Sequence, residues 1–531
     1  MTEGGTDTAE VPTSGGGRRP ATLVATGILL SRVVGLIRQK VFAYYFSIGD
    51  EADAFTAAFR IPNILQNLFG EGVLSASFIP VYSRLRARGD DEGRRELAGA
   101  VFGVLAFLSS IAVLAGVLAA PMLVNVIAPG FREERRELTV QLVRVLFPGA
   151  GLLVLAAWCL GILNSHGKFF LSYAAPVVWN LAMITTLLVW GRHVDLPSLA
   201  LHLAWGSVAG SALQLAVQWR NVSNVLGPWR ISRNIQAPHV RTVLRNFAPV
   251  FVGRGVTQLS AYIDSAIASY LIIGSASTLN YAQLLYMLPV SLFGMSVSAA
   301  ELPAMSSVIG EKDEVAERLR ARLAGGLRRI AFFIVPSAVC FAAFGDLVAR
   351  FIYQGGKFGT DEATWVWGVL AGSAVGLLAS TLGRLYASAL YALHDTRTPL
   401  RFAMVRVAAT TVLGILFSLW LPAFLGIDPK WGVAGLTSSA GIAAWIEFHL
   451  LRRAVGTRIG MVKISFASLV TLWGCALVGA AAGWGVRLLL HTSPWLVGGG
   501  AALATYGVVY GATAVAVGVP EARSLMARIR R

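Results

Sequence analysis

"ATLVATGILLSRVVGLIRQKVFAYYF", residues 21–46, is the stretch on which the fold turns. Most of it is apolar, and it is long enough to cross a bilayer core of roughly 30 Å, which takes about 20 residues of helix. Yet it holds Arg32, Arg38 and Lys40, with Gln39 between the last two. A charge at bilayer depth costs a few kcal/mol, so such residues usually face a cavity or a partner. The question is what a membrane segment would hold them for.

The rest of the chain resolves the first half of that question. Of 531 residues, 55% are hydrophobic and 14% charged, and the mean hydropathy is +0.64. Apolar blocks of roughly 20–30 residues recur about 14 times, each able to span a bilayer. In lipid the backbone must satisfy its own hydrogen bonds, so these blocks are expected to be helices. The fold class expected is an all-α polytopic membrane protein. Residues 1–20 are rich in Gly, Thr and Ser and read as a disordered tail, with no cleaved signal peptide. Cys159, Cys340 and Cys475 fall in separate apolar blocks without metal-ligand spacing and read as core residues.

A formal charge of +17 could point to nucleic acid, but the placement of the cations argues otherwise. With a cytoplasmic amino terminus, the cytoplasmic connections collect Arg84, Arg86, Arg88, Arg94 and Arg95, then Arg318, Arg320, Arg322, Arg328 and Arg329, then Arg452, Arg453 and Arg458. This positive-inside bias places both termini in the cytoplasm. The basic balance then serves orientation and anionic-lipid contact, and no nucleic-acid partner is expected.

The chain also echoes itself. "LSASFIPVYS" (Leu74 to Ser83) resembles "VSAAELPAMS" (Val297 to Ser306), an offset of about 223 residues, and "GILNSHGKF" resembles "YALHDTRTP" at a similar offset. A parallel duplication of six helices follows, giving two six-helix lobes in pseudo-two-fold arrangement. The expected boundaries are 21–222 and 223–453 for the lobes, 454–519 for two further helices, and 520–531 for a basic tail.

Polar residues inside the spans carry the functional signal. Ser31, Gly35 and Arg38 share one helical stripe, with Arg32 beside it. On the second helix Arg60, Asn63, Asn67 and Glu71 form another, bordered by Gln66. Two arginine-bearing faces imply a wet cationic cavity, and the planar guanidinium fork suits phosphate or carboxylate. "LFGEG" (Leu68 to Gly72) reads as a hinge or a close-packing point around Gly70 and Gly72. Lys40, Arg144, Arg406 and Glu447 read as charges near helix ends that reach out of the membrane. No GxxxxGK[ST], HExxH or GxSxG occurs, so energy would come from the membrane potential or an ion gradient, without a cofactor or metal.

The segment from Ser31 to Pro80, with "NSHGKFFLSYAAPVVWN", "YQGGKFGTDEA" and "LHDTRTP", resembles the MurJ (MviN) family of lipid II flippases, in the superfamily that includes the MATE exporters. The resemblance implies a central cation-lined cavity for the diphosphate headgroup of a polyprenyl-linked saccharide. It also implies a groove by the last two helices for the lipid tail, and alternating access between leaflets in peptidoglycan biosynthesis. Ser31, Arg32, Gly35, Arg38, Asp53, Pro62, Asn63, Glu71 and Gly72 match family positions, and Arg60 sits where a basic residue is common. The family usually has an acid at Gln39, an arginine at Gln66, and an Asp-Arg pair at Gln283 and Leu284. Arg254 is expected to replace the lost helix-8 cation, balanced by Asp264 or Glu301. Membrane lipids and cell-wall synthesis proteins are the further partners implied. A flippase for another polyprenyl-diphosphate glycan, or a transport-inactive scaffold, stays open as an alternative.

Overall fold

A computed structural model describes residues 18–232, 234, 236–306 and 312–529; within them the side chains of residues 18–25, 28, 71, 169, 171, 248–261, 312, 528 and 529 lie outside the described set. Among the described residues, fourteen long helical passes run in sequence. The first six are α1 Arg18–Phe46, α2 Asp50–Ala87, α3 Asp91–Leu118, α4 Glu133–Ser165, α5 Phe169–Trp190 and α6 Leu196–Leu226. The second six are α7 Pro238–Ser269, α8 Ser275–Ser306, α9 Lys312–Tyr353, α10 Thr360–Ala392, α11 Arg397–Leu425 and α12 Gly432–Ile459. The pair α13 Phe466–Leu489 and α14 Trp495–Ala516 follows, then a short α15, Pro520–Ile529. Eleven helical segments are long and apolar enough to cross a membrane. The other three, α1, α7 and α12, have 29, 32 and 28 residues, more than the 20 or so a bilayer requires. Residues 18–20, expected in the tail, already belong to α1, and the basic tail is helical over Pro520–Ile529, with Glu521 on Arg328 at 3.3 Å. Below, "proximal" is the end where α1 begins and "distal" the end where it stops.

The duplication shows in how the second helix of each lobe is interrupted. In α2 the helix breaks at Gly70, where an added Cβ would lie 2.1 Å from the Gln66 carbonyl oxygen. Only glycine fits such a close approach. In α8 the helix widens into a π-turn over Val290–Met295, a common device for a local bend. The offset of 223 carries Gly70 into that turn. It also carries Arg60 onto Gln283, and these two meet: Arg60 Nη2 donates to Gln283 Oε1 at 2.9 Å across 223 residues of sequence. Equivalent residues touch only near the axis relating the two copies, so the pseudo-two-fold axis passes between them.

At the distal end the lobes are joined by a buried cap. Asp53, 1% exposed, accepts from the backbone N–H groups of Gly274 and Ser277 (2.7 Å each) and from Ser277 Oγ (2.8 Å). These are the orphan donors at the N-terminus of α8, and a carboxylate there also meets the positive end of the helix dipole. Arg135 stands 3.4 Å from the same carboxylate. Tyr281 adds a second link, donating to the Ser47 carbonyl at 2.9 Å.

The last two helices dock on α9 through a proline. Pro336 has no N–H, so the Phe332 carbonyl loses its helical partner. Tyr510 of α14 supplies one, its hydroxyl donating to Phe332 O at 2.6 Å, and Tyr506 donates to Pro336 O at 2.5 Å. Arg487 of α13 grips Asp346 with two nitrogens, at 3.2 and 2.6 Å.

Candidate functional site

Three adjoining cavities open here, two lined by both lobes and one within the first lobe. The first, about 250 Å³, is lined by Arg38, Gln39, Arg60, Asn63, Asn280 and Gln283 among apolar neighbours. The second, about 390 Å³, shares Arg38 and Asn63 with it and adds Ser31, Gly35, Pro62 and Gln66. The third, about 150 Å³, shares Arg60 and Gln283 and adds Asp264, Tyr286 and Arg406. The stripe read on α1 is therefore a cavity wall, because Ser31, Gly35 and Arg38 face one space.

Arg38 is seated by aromatic rings. Its guanidinium carbon lies 4.9 Å from the Trp179 ring centroid and 5.9 Å from that of Phe59. Nη1 touches Met183 Sδ at 3.6 Å. A ring face attracts the cation without neutralising it, so the fork stays available to an anion. Arg60 Nη2 bonds to the neutral amide of Gln283, and Asp264 lines a cavity with it.

Other expected residues stand elsewhere. Arg32 lines none of these three cavities; it reaches across to α8 and donates to Ser291 Oγ at 2.5 Å, in the π-turn. Asp53 forms the distal cap described above. Glu301 is engaged by Arg322 (3.7 Å) and Arg329 (3.6 Å) of α9, and so does not balance a cavity cation. Asp264 does face a cavity, with Arg60 and Arg406. Glu71 and Arg254 fall on helices whose side chains at those points lie outside the described residues. Gly70 breaks its helix as expected of a hinge, and Gly72 follows in the next turn.

Arg406 and Glu447 correct the sequence reading. They do not reach for the membrane surface; Arg406 Nη1 donates to Glu447 Oε2 at 3.0 Å between α11 and α12, and Arg406 lines the third cavity. Their pairing joins two helices 41 residues apart, which no local spacing reveals. Lys40 and Arg144 are exposed, Lys40 in the second turn from the end of α1 and Arg144 eleven residues into α4. A polar stripe on α6 also went unread: Ser207, Ser211 and Gln214 line the second cavity with the same i, i+4, i+7 spacing as Ser31, Gly35 and Arg38.

The family model for "Lipid II flippase MurJ" matches residues 42–502. The chain belongs to the MurJ family. It is 32% identical over 441 residues to the lipid II flippase MurJ of Burkholderia cenocepacia, covering 81% of this chain and 82% of that one. It is 28% identical over 514 residues to a probable lipid II flippase MurJ of Haemophilus influenzae, covering 92% and 98%. A solved structure titled as MurJ in an inward closed conformation superposes with a TM-score of 0.75 at 22% identity, covering 93% of this chain and 99% of that one. An inward-facing MATE transporter of the MOP superfamily superposes at 0.66 and 16%, covering 82% and 98%. The MurJ fold is thus shared, and the chain is a multi-pass inner-membrane protein.

Proposed function

We propose that this protein is a transporter that flips lipid II, carrying its diphosphate-linked headgroup from the cytoplasmic to the periplasmic leaflet by alternating access. One observation carries the reading: Arg38 and Arg60, on α1 and α2, line one cavity, and Arg38 is seated on ring faces that leave its charge to an anion. A diphosphate is the anion a pair of guanidinium forks suits best. Asn63, Ser31 and Asn280 supply neutral polar contacts for the sugar. The polyprenyl tail would lie beside α13 and α14 in the bilayer. The proximal end, with Arg84, Arg86, Arg318, Arg320 and Arg453, would face the cytoplasm, placing both termini there. No cofactor enters this reading; the membrane potential or an ion gradient would drive the cycle. Cell-wall synthesis proteins on the periplasmic side would receive the product.

Complementation of a MurJ-depleted bacterium tests it. The wild-type chain should restore growth and Arg38→Ala should not, at equal membrane abundance. Rescue by Arg38→Ala would refute the assigned site. Failure of well-inserted wild type would refute lipid II as the substrate and favour another polyprenyl-diphosphate glycan or a scaffold.

A further inference from the structure

Asp264 is an acid in a place where an acid needs a reason. It lies on α7 in the third cavity, between Arg60 and Arg406. Its Oδ1 is out of solvent and has no hydrogen-bond partner among the described residues. A carboxylate at this depth is costly unless its oxygens are satisfied. By contrast the nearby Glu447 is held by Arg406 at 3.0 Å.

The charged surroundings can be enumerated. Helix α2 brings Arg60, α8 brings Gln283 and Tyr286, α11 brings Arg406, and α12 brings Thr437 to the lining and Glu447 behind Arg406. Helix α10 contributes Ser373, with Arg384 in electrostatic range of Arg406 and Glu447. On α7 itself Tyr262 bonds to Asn67. Helix α3 and the short helix Ala120–Ile127 also pack on α7 but add no described residue to this lining. Among the described residues, three cations and two carboxylates give a net charge of +1 with Asp264 ionised and +2 with it protonated. A sugar-diphosphate diester carries two negative charges.

We propose that Asp264 takes up one proton when an anionic diphosphate settles between Arg60 and Arg406, so that this chain binds its substrate together with a proton. This rests on the diphosphate reading above. The step is a simple proton transfer: the buffer acid in solution gives H⁺ to the carboxylate and is left as its conjugate base, and the carboxylate becomes a neutral acid with an O–H donor. The unpartnered oxygen thereby gains a role, donating to the anion that an ionised carboxylate would repel. Arg60 also lines the first cavity, so an anion held there is within reach of the same cluster.

Calorimetry on the purified full-length protein tests it. The probe is a lipid II analogue with a shortened prenyl chain, whose diphosphate diester does not titrate between pH 6 and 8. Binding is measured at pH 8 in two buffers of different ionisation enthalpy. Wild type should take up about one proton, and its Kd should rise up to tenfold per pH unit between the titration of the free and the occupied site. Asp264→Asn should take up none and bind with a Kd flat in pH. Binding by wild type without proton uptake, or equal uptake in Asp264→Asn, overturns the proposal and leaves the diphosphate reading intact. Absence of binding by wild type at every pH overturns both. Should Asp264→Asn not fold, the wild-type two-buffer measurement still decides.

Discussion

Replacing Asp53 by Asn should open the distal end of the molecule. The carboxylate accepts three short hydrogen bonds from the first turn of α8 and faces Arg135. An amide of the same size has one acceptor oxygen and an NH₂ group, which would point at an N–H of Gly274 or Ser277. At least two bonds to a charged acceptor are then lost, at about 1.5 kcal/mol each, or about 3 kcal/mol altogether. If the contact exists only in the distal-closed state, the closed-to-open ratio falls by about 150-fold. Ala276 reports on this directly, because it is 5% exposed and packs with Ala57, Ala128 and Phe131 at the same contact. An Ala276→Cys reporter should react slowly with a membrane-impermeant maleimide when Asp53 is intact and much faster when Asp53→Asn is added. The native cysteines are buried or partly buried and form a slow baseline. Equal labelling in the two backgrounds would refute the assignment of Asp53 as a lobe-joining cap.

Three further outcomes follow from single contacts. Tyr510→Phe removes the hydroxyl that bonds the carbonyl freed by Pro336, and should cost about 1–3 kcal/mol, read as a lower thermal midpoint in detergent with intact transport. Gly70→Ala drives a Cβ into the Gln66 carbonyl, so it should straighten or displace the α2 break and abolish complementation while a Gly72→Ala control is tolerated better. His166, just past α4, has Nε2 at 3.0 Å from the Tyr82 hydroxyl and 3.3 Å from Arg94 Nη1. Burial first, then the cations Arg86, Arg94 and Lys168, push its pKa down to about 4. Between pH 6.5 and 4 the unfolded chain then binds more protons than the folded one, so stability falls as pH falls through that window. His166→Gln keeps an acceptor, does not titrate, and should flatten the slope of thermal midpoint against pH there.

The sequence reveals whatever is periodic. The apolar blocks mark the helices, because each must satisfy its backbone internally, and the three-residue stripe on α1 marks the cavity wall. The repeat offset, read from two weak echoes, places Arg60 opposite Gln283. What stays hidden depends on contacts between distant helices. Asp53 matches a family position, but no local spacing shows its partners, which lie 221 and 224 residues away. Arg406 and Glu447 sit near helix ends in the sequence, yet pair inside the lobe. Glu301 seemed free to balance a cavity charge until the basic face of α9 folded over it. Trp179 carries no charge and no spacing signal, but it seats the central cation.

The four departures from the family pattern become intelligible as a set. By the resemblance read from the sequence, Gln39 and Gln283 would stand where acids are usual, and Gln66 and Leu284 where arginines are. Two negative and two positive charges are lost, so the net charge of these positions is unchanged. An anion entering the cavities still meets a positive field, but one built from fewer ions. Gln283 is the sensitive member, because it touches Arg60 at 2.9 Å without neutralising it. Restoring only the acid, Gln283→Asp, would place a carboxylate against that guanidinium. At about 4 Å and an effective dielectric near 20 the pair attracts by about 4 kcal/mol before solvent relaxation, and the incoming anion must compete with it. Binding of the lipid II analogue should weaken by tenfold or more. Adding the cation as well, Gln283→Asp with Leu284→Arg, should recover most of the loss, since the double change again leaves the net charge as it was. Tighter binding by Gln283→Asp alone would show that Arg60 does not hold the anion, because an added carboxylate can strengthen anion binding only by acting somewhere other than on the cation that binds it.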